Sequence, residues 1–334
     1  MIEDGRPRGR LPLHPRPLPH EALSSWVDRL AACYRLKRRE FLRLALGADP
    51  APSDGELDAT GGPPGLSDAL AERTGVPPGR IRGMTLAGYV PDLITPSKRQ
   101  PGLFNAYACQ FGWFMSRRHR RALRPEPPGP WLPWRAADLM SPTPRCCPCC
   151  LVADVVPYVR LHWRLAWMAS CPWHGEMLVP LMMPLTPALL VHLLEDREPE
   201  RAAPDLLALD RITLGAATMG TALLPRDGGP VTGGAWLLAL RTLIDELVRP
   251  LAWFGNEGRG ELARAWLRTG RMVNARYGFQ GDTFEDLPPE RRGVLLQVAG
   301  AAVRRQAVRP ARRGPGTMLR AYVTQWKSDQ FCKT

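Results

Sequence analysis

The sequence is short of the features that mark several protein classes. Met1 to Pro19 is broken by prolines and arginines and has no apolar core of the signal-peptide kind, so export is not expected and a bacterial cytoplasm is. There is no G-x-x-x-x-G-K-[ST] phosphate loop, no H-E-x-x-H helix and no recognisable nucleophile motif, which leaves an enzymatic reading without support. Long apolar runs are scarce as well. The one long uncharged stretch, Met177 to Leu194, contains Pro180, Pro184 and Pro187 and is marginal in length for a bilayer-spanning helix, so it reads as soluble core and no membrane partner is expected. Acidic residues are outnumbered: 32 Asp and Glu face 45 Lys and Arg, giving a net charge of +13, which favours a polyanionic partner, DNA foremost. Arginine-rich, GC-biased genomes produce the same bias, so the motifs must decide. With 334 residues and 45% hydrophobic content, material for a sizeable core is present.

Helical spacing organises the first half. Leu23, Trp26, Val27, Leu30, Ala31 and Tyr34 predict a helix beginning near Glu21, with Asp28 and Arg29 in solvent. After a break at Arg35 to Lys37, Phe41, Leu42, Leu44 and Ala45 predict a second helix that stops at Gly47. Residues 48–65, rich in Pro, Gly, Asp and Ala, read as a surface connection. A second pair follows, with Ser67 as N-cap, Leu70 on the buried face, Gly75 as the stop, and Pro77-Pro78 leading into a helix that carries Ile81 and Met84. Both pairs resemble helix-turn-helix units, an arrangement that also occurs in many proteins that bind no DNA. Arg124 to Pro133 forms a proline-rich connection. Thr186-Pro187 then opens a helix to about Asp196, and helical spacing recurs at Trp236, Leu237, Leu240, Leu243, Ile244 and Leu247 and at Val294, Leu295, Val298, Ala302 and Val303. No internal repeat stands out. The expectation is a mainly α protein with an N-terminal helix-turn-helix-like region (1–123), a small zinc-finger module (134–185) and a C-terminal helical region (186–334).

Five of the eight cysteines lie between Cys146 and Cys171, in Arg145-Cys-Cys-Pro-Cys-Cys-Leu151 and Cys171-Pro-Trp-His174. A C-x2-C turn aims two thiolates at one centre, and a C-x2-H turn supplies two further ligands for a tetrahedral zinc ion. Four protein ligands leave no position for water, so such an ion is structural. The first turn has two registers of equal spacing, Cys146 with Cys149 or Cys147 with Cys150. A thiol redox motif is the rival, but it sits between a strand and a helix and leaves the second pair without a role. Cys33, Cys109 and Cys332 stand alone and receive no assignment.

These motifs resemble the signature of the TniQ family: Cys-Pro-Cys-Cys-Leu-Val-Ala-Asp, Pro157-Tyr158-Val-Arg160-Leu-His-Trp163-Arg164-Leu, and Cys-Pro-Trp-His-Gly175. The opening Leu18-Pro-His-Glu21-Ala-Leu23-Ser-Ser25-Trp26-Val-Asp-Arg29-Leu30-Ala resembles the family's N-terminal motif, and Ala71-Glu-Arg-Thr-Gly75 to Met84-Thr85-Leu86 is also similar. The resemblance covers about residues 11–180. The family's Arg-aromatic-Cys-Pro-x-Cys pattern implies Cys147, Cys150, Cys171 and His174 as ligands of one structural Zn2+. A second Cys-Pro-x-Cys turn found in many members is missing, since Met177 to Pro184 contains no cysteine. The resemblance further implies a non-enzymatic adaptor beside an integrase-like, DDE-type transposase and an AAA+ ATPase. Such an adaptor binds target DNA directly or docks on an RNA-guided CRISPR effector, in the latter case as a homodimer.

Candidate nucleic-acid contacts are Lys37, Arg38 and Arg39; Arg80 and Arg82; Lys98 and Arg99; and Arg117, Arg118, Arg120 and Arg121. Cations in such clusters bind phosphates without reading sequence, and each cluster taken singly reads more readily as a solvated face. Arg304, Arg305, Arg309, Arg312 and Arg313 suggest a basic tail that is partly disordered until bound. Trp163 and Trp167 are expected to wall the metal module's core, and His162, outside both metal turns, is placed at the surface. The alternative to the adaptor is a zinc-containing helix-turn-helix regulator that binds an operator directly.

Overall fold

The computed structural model describes residues 9–89, 145–165, 167–180, 198–223, 230–232, 256–271 and 289–306, together with positions 236, 240, 243, 244, 246, 247 and 284. Their architecture is mainly helical, with a few short strands. The proline-rich connection at 124–133, the helix expected from Thr186, Cys109, Cys332, Trp113, Trp131 and Trp134 lie outside the described residues.

Helix α1 (Leu23–Cys33) buries Leu23, Trp26, Val27, Leu30 and Ala31, the stripe its spacing predicts. Each fully buried leucine there stabilises the fold by about 2 kcal/mol. The Trp26 indole donates to the Pro15 carbonyl at 2.8 Å and so fastens the proline-rich lead-in to the helix. Arg29 is not in open solvent as expected: its guanidinium lies 2.7 Å from the buried Glu21 carboxylate. In α2 (Arg38–Leu46) Phe41 and Leu42 are buried, and Gly47 closes the helix in the left-handed region. Leu44 departs from the expectation at 59% exposure, because in so short a helix it falls outside the face shared by Phe41, Leu42 and Ala45.

The larger departure is at 48–65. Where a surface connection was expected, α3 (Asp54–Thr60) forms, with Leu57 and Asp58 buried. A reciprocal cap nucleates it: the Ser53 hydroxyl accepts from Glu56 N, and the Glu56 carboxylate accepts from Ser53 N at 2.7 Å. Helix α4 (Leu66–Thr74) starts after Gly65, so Ser67 lies inside its first turn and is not the cap. Gly75 then breaks the chain, as predicted, before α5 (Pro78–Arg82), and α6 (Leu86–Tyr89) follows. Ile81 and Met84 complete the N-terminal core.

The middle segment contains β1 (Arg145–Cys146), paired antiparallel with β2 (Val179–Pro180), and α7 (Pro148–Ala153). The C-terminal part consists of α8 (Pro204–Met219), the β3 (Thr221–Leu223) and β4 (Pro230–Thr232) hairpin, α9 (Asn256–Arg268) and α10 (Pro289–Gln306). Trp236, Leu240, Leu243, Ile244 and Leu247 are helical and buried, as their spacing predicts. Arg304 corrects the tail expectation: it lies in α10, with its guanidinium 2.7 Å from Asp205 at the start of α8. A single apolar cluster joins the middle segment, through Trp163 and Trp167, to the C-terminal helices, through Trp236 and Trp266.

Candidate metal centre

Local sequence builds the two ligand turns in different ways. Cys147 occupies the N-cap position of α7, and Pro148, with its preset φ and no N–H to satisfy, takes the first helical position. One turn later Cys150 faces the same side as Cys147. The second turn tips a small hairpin: Leu178 N donates to the Ala169 carbonyl, Cys171 N to Glu176 and Gly175 N back to Cys171. Gly175 takes φ +67, a left-handed conformation that calls for glycine.

Cys147, Cys150, Cys171 and His174 converge, with all four ligand atoms within 4.8 Å of one another. His174 Nδ1 lies 3.5 Å from Cys147 Sγ, 3.3 Å from Cys150 Sγ and 3.5 Å from Cys171 Sγ, while the Cys150 and Cys171 sulfurs are 3.7 Å apart. Around one tetrahedral zinc, with bonds of about 2.3 Å to sulfur and about 2.0 Å to nitrogen, ligand atoms stand about 3.8 Å (S to S) and about 3.5 Å (S to N) apart. The four distances given are close to the edges of that tetrahedron. The three cysteines are buried, and a buried Cys3His group of this shape could hold a metal ion.

The electrostatics suit a cation. Hydrogen bonds from the Cys147 and Cys150 thiols hold Cys171 far below the ordinary thiol range, helped by backbone N–H groups of His174 and Trp173. Cys150 is held far above it, by Cys147, by Cys171 and by burial. A positive charge placed among the sulfurs would favour loss of the thiol protons. The alternative register is not assembled: Cys146 is buried in β1, and the Cys149 thiol donates to Glu176 at 3.0 Å, an interaction that with burial pushes it up to about 11.

The stretch after α7 stitches the module to the N-terminal helices. Ala22 N donates to the Val159 carbonyl, Leu161 N to His20, Val159 N to the Ser25 hydroxyl and the Tyr158 hydroxyl to Pro19. Below them Asp58 is fully buried, accepting from Ser24 N and Ser24 Oγ, with Arg164 Nε 2.8 Å away. Sequence reasoning missed Asp58, because it read 48–65 as surface; the Ser53-x-x-Glu56 pattern was the available signal.

His162 corrects a second expectation. It is fully buried, packed edge-on against Trp173 (centroids 4.9 Å) and Trp163 (5.9 Å), and is no member of the ligand set. The 3₁₀ turn Leu161–Arg164 rotates it inward, and burial, followed by the neighbouring His20, lowers its pKa to about 3, so it is neutral at physiological pH.

Among the basic candidates, Lys37, Arg39, Arg80 and Arg82 are exposed. Arg38 is engaged: it pairs with Asp28 at 2.6 Å and with Asp54, and these carboxylates outweigh burial and raise its pKa. Arg80 and Arg160 both lie close enough to His20 to depress its pKa, after the effect of burial. Lys98, Arg99, Arg117, Arg118, Arg120 and Arg121 lie outside the described residues.

The family model described as TniQ matches residues 12–178, a span that begins in the proline-rich lead-in and ends at the hairpin carrying His174. The chain belongs to the TniQ family. It is thus a transposition-associated protein, of a family whose domain is a non-catalytic accessory. Comparison with curated proteins and with solved structures returned no match. Among the described residues, no helix of this TniQ protein is long and apolar enough to cross a membrane.

Proposed function

We propose that this TniQ protein is a non-enzymatic adaptor that joins a DDE-type transposase and an AAA+ ATPase to the chosen target site. It does so by binding target DNA or, as a homodimer, by docking on an RNA-guided CRISPR effector, in the bacterial cytoplasm. One structural Zn2+ is held by Cys147, Cys150, Cys171 and His174, and three regions (1–123, 134–185 and 186–334) divide the work. The observation that carries the reading is the closed Cys3His cluster inside the matched span. With its four donors supplied by protein, a zinc ion there fixes shape and leaves no position for a reacting water.

DNA contact falls to the exposed cations Lys37, Arg39, Arg80 and Arg82, with Lys98, Arg99, Arg117, Arg118, Arg120 and Arg121 as further candidates; Arg38 contributes less, being paired. The pairing of α4 and α5 around Gly75, with Arg80 and Arg82 exposed on α5, also favours a zinc-containing regulator that binds an operator alone. Titrating the purified chain onto DNA at several salt concentrations, with and without its ATPase, separates the two. The adaptor binds weakly and salt-dependently alone and gains site preference with the ATPase or guide complex. Tight binding to one operator by the chain alone overturns it.

A further inference from the structure

The family match ends at residue 178, yet the Cys171–His174 turn is held from the other side by residues that follow it. Asp210, fully buried on α8, accepts through Oδ2 from Ala169 N at 3.2 Å, Ser170 N at 2.7 Å and Ser170 Oγ at 2.6 Å. Its neighbour Arg211 donates from Nε to the Pro172 carbonyl at 3.0 Å, and Arg201 donates to the His174 carbonyl at 2.9 Å. The first ligand turn is different. Leu151 N and Asp154 N bond to the carbonyls of Cys147 and Cys150 within α7 itself, so that turn is shaped by its own helix. The second is a loop tip, closed by its own Gly175 N to Cys171 bond, and the groups that hold its Pro172 and His174 carbonyls and the N–H groups just before Cys171 lie on or beside α8.

We propose that Asp210 and Arg211 of α8 are positioning residues of the metal centre, presetting the Cys171–His174 turn so that metal affinity depends on the seating of the C-terminal helices. Neither touches the metal. They act by holding two backbone segments, 169–170 and Pro172, that flank Cys171 along the chain, and so fix the direction from which its sulfur and His174 Nδ1 approach the site. The inference rests on the reading of the cluster as a zinc site.

The test uses the full chain, reconstituted with Co2+ and with Zn2+, in the wild type and in Arg211→Gln, Asp210→Asn and Asp210→Ala variants. Ser53→Ala, which removes the remote cap of α3, serves as a control for destabilisation alone. Outer partners of this kind are worth about 10–100-fold in metal affinity. Arg211→Gln and Asp210→Ala are expected to release zinc to a chromophoric chelator at correspondingly lower chelator concentration and to change the Co2+ d–d absorption. Ser53→Ala should lower the thermal midpoint while leaving both metal readouts unchanged. Arg211 is exposed, so its variant folds even if Asp210→Ala does not. Wild-type affinity and spectrum in Arg211→Gln and Asp210→Asn, with one equivalent of metal bound, overturn the positioning role and leave the zinc reading intact. A wild-type chain that takes up no metal overturns both.

Discussion

A buried imidazole and a buried carboxyl show how single side chains depend on their enclosure in this protein. His162 lies wholly inside, among Trp163, Trp173 and His20, and burial depresses its pKa from 6.5 to about 3. In the unfolded chain the same ring takes up a proton below about pH 6.5, while in the fold it stays neutral until about pH 3. The unfolded state therefore binds more protons across that window, and stability, full above pH 6.5, falls with a slope that reaches about 1.4 kcal/mol per pH unit as acid is added. His162→Phe keeps an aromatic ring in the site and removes the titration. Measured with excess zinc between pH 7.5 and 5, the denaturant midpoint of the wild type should fall more steeply than that of the variant; parallel curves would show that the ring is not desolvated. Asp210 behaves in the opposite sense. Burial raises its carboxyl to about 7 against the pull of the Ser170 and Ala169 donors, so the fold tolerates its proton up to neutral pH.

Between elements, close backbone approach sets what can pack. At Gly300 of α10 a Cβ would stand 2.2 Å from the Asp205 carbonyl oxygen at the start of α8, and a backbone atom cannot swing aside as a side chain can. Gly300→Ala must therefore push the two helices apart across the core that Leu206 and Leu296 share. The expected loss is about 3 kcal/mol, read from urea unfolding of the zinc-loaded chain; unchanged stability would mean that the helices do not cross so closely. Legibility in the sequence followed the same line between local and non-local causes. The apolar stripe of α1, the stops at Gly47 and Gly75 and both ligand turns could be read, because each is written in residues a turn or two apart. The register of the first cysteine turn is ambiguous by spacing; in the structure Cys147 and Cys150 meet Cys171 and His174, while the Cys149 thiol meets Glu176. What escaped depends on partners far along the chain. The burial of His162 against Trp173, the pairing of Arg38 with Asp28 and the role of Asp58 beneath Ser24 and Arg164 are set by neighbours that no local pattern names. Asp210 left a trace that went unread: an acid on the same α8 face as Leu206, Leu209 and Thr213, where an apolar residue would be expected.

At the scale of the whole molecule the metal module lies between two cores. On one side it shares backbone hydrogen bonds with the N-terminal helices through Ala22 to Val159 and Leu161 to His20; on the other it shares an apolar cluster with α8 and α10. Structural zinc in small modules contributes about 10–16 kcal/mol of binding free energy, comparable to the entire stability of a typical domain at about 5–15 kcal/mol. Stripping the ion should therefore not merely loosen the Cys171–His174 turn. Without the ion, three buried thiols and an imidazole crowd together with no cation to tie them, so 145–180 is expected to open, and the segments bonded to it to follow. Hydrogen exchange after chelation is expected to rise first across 145–180 and at the amides of Ala22 and Leu161. The amides inside α1 and α4 should keep more protection, because Trp26, Leu30 and Leu70 belong to a core of their own. Cys147→Ser and His174→Ala should reproduce this pattern without chelator and abolish transposition. Exchange that stays flat across 145–180 after the metal is removed would show that packing alone holds the module, and that its four converging side chains serve some purpose other than binding an ion.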